Sequence, residues 1–198
     1  MKPILFNTEM VRAILDGRKT TTRRIVKFNF NKVYTTACAY GRWNESYGKT
    51  LPSHLIEWYV KSKAKPPYQI GDVLYVRETF CSAYDGESYF FLADKCTGRE
   101  QKKLLDYDDV RWHPSLHMPK EAARIFLKVT NVRAERLQDI TEEQAIKEGA
   151  SKIGGILDFK MIWEDTLKKD NYAAYRWNAN PFVWVVEFER CEKTGGTP

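Results

Sequence analysis

The chain has few of the residues on which metal-built or secreted small proteins depend. Its four cysteines, Cys38, Cys81, Cys96 and Cys191, form no C-x-x-C pair. That excludes a zinc ribbon and a dense disulfide framework and favours reduced thiols. Only three histidines occur. His113 and His117 stand four apart, but Pro114 and Pro119 break the helix that would bring them onto one face, so no metal site is expected. No unbroken apolar run exceeds the five residues of Phe182 to Val186, far short of the ~20 residues of a membrane helix. Met1-Lys2-Pro3 leads into no signal-peptide core, and a cytoplasmic protein without a membrane partner is expected. G-x-G-x-x-G, Walker, H-E-x-x-H and G-x-S-x-G motifs are missing, so the common cofactor and hydrolase signatures give no lead and no cofactor is implied.

What is present suffices for a core. With 198 residues, 43% hydrophobic and 29% charged, the chain reads as one globular domain with an elaboration. Its net charge of +6 is unevenly placed: residues 12–32 hold Arg12, Arg18, Lys19, Arg23, Arg24, Lys27 and Lys32 against Asp16 alone, and the remainder is balanced. An excess confined to one stretch is a footprint for an anion, and nucleic acid is the commonest large one. A solvated basic turn is the plainer reading of the same charges.

Along the chain, Pro3 to Phe6 reads as an edge strand, and Thr8 stands as the N-cap of a helix bearing Met10, Val11, Ile14 and Leu15 and ending at Gly17. The β-branched basic stretch Arg18 to Val26 favours extended backbone. Residues 27–69 hold nine aromatics and read as an insertion, its rings stacking on bases or pinning it to the core, with a short helix over Ser53 to Lys63. Val73 to Phe80 is a strand that places Glu78 on the apolar face of Leu74, Val76 and Phe80, where the carboxylate needs an Arg partner or a catalytic task. Trp112 to Pro119, with His117, is apolar and stiff enough to line a pocket or pack on the sheet. Tyr89 to Leu92, Arg124 to Val132 and Phe182 to Phe188 are further strands, the last apolar on both faces. Thr141-Glu142-Glu143-Gln144 has capping-box spacing and opens a helix ending at Gly149, and Phe159, Ile162, Trp163 and Leu167 mark another. The order predicts an α+β fold: a small mixed or antiparallel β-barrel flanked by short helices.

Asp16-Gly17-Arg18-Lys19-Thr20-Thr21-Thr22-Arg23 resembles the G-x-K-x-x-T-x-R signature of ASCH domains, the PUA-like RNA-binding superfamily. Gly71-Asp72-Val73-Leu74, the helix from Ile140 to Gly149 and the strand Trp184 to Phe188 follow in that family's order. The resemblance implies a single PUA-like domain over 1–190, with insertions at 27–69 and 94–122 and a C-terminal tail at 191–198. Tyr75-Val76-Arg77-Glu78-Thr79 and His117-Met118-Pro119-Lys120-Glu121 look most like its phage and prophage members.

A bacterial ASCH member hydrolyses the acetyl amide of acetylcytidine with a Thr, Lys and Glu set, and this resemblance places the corresponding groups at Thr22, Lys19 and Glu148. Arg18, Arg23, Arg24, Glu78, Trp112 and His117 then line the substrate or nucleic-acid site. Amide hydrolysis needs a nucleophile, a group to take its proton and donors for the oxyanion, and a desolvated lysine serves as base to a threonine hydroxyl. Glu148 at the negative end of its helix is misplaced by ~0.3–1 kcal/mol unless a cation such as Lys19 meets it. Lys19 and Thr22, three apart, point to opposite faces of a regular strand and converge only if the chain bends after Gly17. The expected partner is RNA or a modified nucleoside or nucleotide. A non-catalytic RNA-binding module and a ribonuclease acting on single-stranded RNA stand as alternatives.

Overall fold

A computed structural model of the chain describes residues 1–47, 51–82, 88–94 and 111–193. Cys96, most of the 94–122 segment and the tail from 194 onward lie outside the described residues. The strands are β1 (Lys2–Leu5), β2 (Thr21–Ile25), β3 (Val73–Arg77), β4 (Phe80–Ser82), β5 (Tyr89–Phe91), β6 (Phe126–Arg136) and β7 (Phe182–Cys191). The helices are α1 (Thr8–Leu15), α2 (Phe30–Ala39), α3 (Ser53–Ser62), α4 (Glu142–Lys147), α5 (Gly155–Asp165) and the short α6 (Tyr172–Tyr175). None of the described helices is long and apolar enough to cross a membrane.

The fold is α+β, on a five-stranded mixed sheet of order β1-β3-β6-β7-β2 with β4 and β5 paired separately. Among the described residues only β1 and β3 pair in parallel. The inner strand β7, between β6 and β2, is apolar on both faces because both are covered. Trp184, Val186 and Phe188 pack with Val11 and Ile14 of α1, and Val183 and Val185 pack with Ala145, Phe159 and Trp163 of α4 and α5. Each such valine, isoleucine or phenylalanine, fully buried, contributes roughly 1.5–3 kcal/mol of transfer free energy.

The expected barrel does not close by backbone pairing: among the described residues β1 pairs only with β3 and β2 only with β7. The outer edge of β1 explains this. The Pro3 and Leu5 carbonyls are taken by side chains, accepting from the Tyr68 hydroxyl (2.9 Å) and the Arg24 guanidinium (2.8 Å), and Pro3 has no N–H to offer a further strand. A side chain of β2 thus reaches the opposite edge of the sheet and curls it without a ladder.

Local chemistry shifts several expected boundaries. The N-cap of α1 is Asn7, whose side chain accepts from the Met10 amide at 2.8 Å, one residue before Thr8; asparagine outranks threonine there. The strand expected over Val73 to Phe80 ends at Arg77, and Phe80 starts β4, bridged to His113. Helix α2 has no counterpart in the sequence reading. Its buried side chains are Val33 and Ala37 alone. Gly149, at φ +102, ends α4 against α1, and an added Cβ there meets the Ala13 Cβ at 3.3 Å. Gly149→Ala is expected to lower stability by about 1–3 kcal/mol, read from its urea midpoint.

Candidate functional site

Two turns bring the site together. Gly17, at φ +73, lets the chain leave α1 so that the Arg18 and Lys19 amides both donate to the Ala13 carbonyl at 2.9 Å. The Thr20 amide then donates to the Lys147 carbonyl, and its own carbonyl accepts from the Phe188 amide, both at 2.9 Å. The bend is therefore clamped between the end of α4 and the inner strand β7. On the other side, the capping box of Thr141 and Gln144 sets the start of α4, which places Glu148 at its C-cap.

The Lys19 amine, buried, donates to the Glu148 carboxylate at 2.8 Å and to the carbonyls of Glu148 and Thr21 at 2.7 Å each. The other carboxylate oxygen of Glu148 accepts from Arg23 at 3.1 Å. Glu148 thus lies between two buried cations, which removes the penalty of a carboxylate at a helix C-terminus. Burial pushes the Lys19 amine below the ordinary lysine value, with Glu148 opposing and the nearby Arg24 and Arg23 guanidiniums adding to the fall.

Strand alternation separates the next residues. Arg23 and Ile25 lie opposite Val185 and Val183 on the α4–α5 face, and Thr22 and Arg24 lie opposite Val186 and Trp184 on the α1 face. Arg23 is accordingly buried, committed to Glu148, Glu135 (3.3 Å) and the capping-box Gln144 (2.9 Å). It positions Glu148 and is closed to a ligand. Arg24 has no carboxylate within ion-pair distance among the described residues: it donates to the Leu5 carbonyl and lies 5.2 Å from the Phe6 ring centroid. The Lys19 amine lies 5.6 Å from the same ring. Phe6 thus floors a small region where a paired amine and an unpaired guanidinium meet, both within cation–π range. Thr22 belongs to that face, and its neighbour's carbonyl is the one Lys19 holds. Its hydroxyl has no hydrogen-bond partner among the described residues.

The remaining expected residues lie in other networks. Glu78 is buried in a bidentate pair with Arg124 (2.9 and 3.0 Å), which also binds Asp94 at 2.7 Å. Burial raises its carboxyl above the usual range against the pull of Arg124. Trp112 is half-buried and His117 exposed, on a segment held to the end of β3 by the Arg77 side chain, which donates to the Met118 carbonyl at 2.9 Å. Arg18 is exposed beside Gly149 and Asp16. No hydrogen bond, ion pair or ring contact joins Glu78, Trp112 or His117 to Lys19 and Glu148 among the described residues. Phe6, Glu135 and Arg124 have structural parts the sequence reading did not give them, and Gln144 adds a bond to Arg23 to its capping role. Gln144 carried a signal in its capping-box spacing, and the others are joined only by tertiary contact.

Arg124→Met is expected to cost about 1–3 kcal/mol at pH 7, because Glu78 is left buried without its partner. A carboxyl held above its unfolded value of 4.5 stabilises most when protonated. The deficit should therefore shrink as pH falls towards 4.5, as urea unfolding at pH 7 and pH 5 would show.

No protein-family model matches the chain, and no curated protein matches it. Among solved structures it is similar to the ASCH domain from Lactobacillus crispatus JV V101, at 10% identity and a TM-score of 0.43, over 91% of this chain and 69% of that one.

Proposed function

We propose that the chain is a PUA-like ASCH domain that binds RNA or a modified nucleoside and hydrolyses the acetyl amide of N4-acetylcytidine with Thr22, Lys19 and Glu148. One observation carries the reading: the buried Lys19 amine is 2.8 Å from Glu148 and 2.7 Å from the carbonyl of Thr21, the residue before Thr22, and shares the Phe6 floor with the unpaired Arg24. A lysine held there only for stability needs no guanidinium without a counter-ion over the same ring.

In the reaction, the Lys19 ammonium first gives up a proton, a loss that burial eases, and the amine then takes the Thr22 proton as the hydroxyl oxygen attacks the acetyl carbon. Arg24 faces the oxyanion. Collapse breaks the C–N bond, the leaving nitrogen recovers the proton from Lys19, and cytidine departs with the acetyl group on Thr22. Water, losing its proton to Lys19, then releases acetate and restores the hydroxyl. Glu148 orients the amine and stabilises the ammonium it becomes, and Arg23 fixes Glu148.

The test is incubation of the purified protein with N4-acetylcytidine while cytidine is followed chromatographically. Release of cytidine in proportion to enzyme is the expected result. No release, with salt-sensitive affinity for single-stranded RNA retained, overturns the hydrolytic half and leaves a binding module.

A further inference from the structure

The 27–69 segment helps build a cavity that the Lys19 site does not use. It has a volume of about 560 Å³ and lies between the end of β2, the start of α2 and the end of α3. Its walls carry Lys27, Lys32, Lys63 and Lys65 and no aspartate or glutamate, with Phe28 and Trp184 among the apolar surfaces. None of the four amines is in an ion pair among the described residues, whereas the surface lysines Lys2 and Lys61 each meet a carboxylate at 2.6 Å. Lys63 lies instead over the Tyr40 ring, 3.7 Å from its centroid. The first turn of α2, whose positive end opens here, also lacks an acidic residue.

Four like charges around one concavity repel each other and gain most from a multiply charged anion. The volume lies within the usual range for small-molecule sites, about 300–1,000 Å³, and exceeds what a lone phosphate fills. Phe28 is 39% exposed beside the lysines. An exposed ring next to unpaired cations is the pairing that takes a base and its phosphate together.

We propose that this cavity is a nucleotide site: its lysines hold the phosphates and Phe28 stacks on the base, whether the nucleotide is free or part of a single strand. On β2 the face of Thr22 and Arg24 continues to Val26 at the cavity wall, about 13 Å from Thr22 at 3.3 Å per residue. The two sites are neighbours on one face, yet the second stands on its own residues.

The experiment titrates the full chain with a labelled single-stranded oligoribonucleotide, followed by anisotropy, and competes it with a nucleoside triphosphate or inorganic phosphate. Saturable binding that weakens with salt is expected, with a log–log slope of about −0.7 per phosphate neutralised. Lys32→Glu with Lys63→Glu should lower affinity at least tenfold, and Lys61→Gln, outside the cavity, should not change it. Phe28→Ala should lower affinity about tenfold for the oligonucleotide and the triphosphate alike. Displacement by the triphosphate shows that a free nucleotide suffices, and displacement by oligonucleotides alone assigns the site to a strand. No saturable binding, or binding indifferent to the double charge reversal, overturns the proposal. Thr22→Val should abolish cytidine release and leave this affinity intact, so the two readings fail separately.

Discussion

Replacing Glu148 with leucine is expected to destabilise the protein by about 3–5 kcal/mol, the cost of leaving buried charges without their counter-ion. At roughly 2–4 °C per kcal/mol for a chain of this size, the fall in Tm is about 6–20 °C. The physical reason is specific to this carboxylate. Both its oxygens are engaged, one by Lys19 and one by Arg23, and the side chains of all three residues are almost wholly buried. The double variant Lys19→Met/Glu148→Leu should cost less than Glu148→Leu alone, because one of the two orphaned cations is removed with the anion. Arg23 retains Glu135 and Gln144. A thermal or urea cycle over the four proteins reads the coupling, and strictly additive losses would contradict the arrangement.

Lys19→Met is expected to lower cytidine release by 10²- to 10⁴-fold, the usual contribution of a positioned general base. Combining it with Thr22→Val should add little, since the two groups act in one step. The pH profile carries a separate signature. Burial lowers the amine from its ordinary 10.5, so the active, deprotonated form accumulates below that value and the rate should rise with pH to a midpoint beneath it. Lys19→Arg, which stays protonated throughout, should lose that rising limb together with the activity.

Much of the framework was legible because its signals are local. The helix ending at Gly17, the capping box at Thr141, the extended basic strand and the two-faced β7 all rest on residues a few positions apart. Helix α2 was not legible, because two buried side chains in ten residues give no periodic stripe and its aromatics meet one another instead, as Phe30 meets Tyr34 at 6.2 Å. Glu78 could be placed on an apolar face from alternation alone, but its partner Arg124 lies 46 residues away and only the fold joins them. Arg23 is the instructive case. Beside Arg24 in a basic run it reads as a phosphate ligand, yet alternation sends it under α4 and α5, and that becomes decisive only once both faces of the sheet are known to be covered. Lys19 and Glu148, 129 positions apart, came together in the sequence reading through the family resemblance and the awkward charge at a helix end. The bend after Gly17 that joins them is a property of the folded chain.

The most direct measurement is the rate of cytidine formation from N4-acetylcytidine by the wild-type protein and by Thr22→Val, at matched concentration and with equal unfolding midpoints. A rate that is measurable in the first and absent in the second is the result expected of a threonine hydroxyl activated by Lys19. Equal rates in both, or none in either, would contradict it.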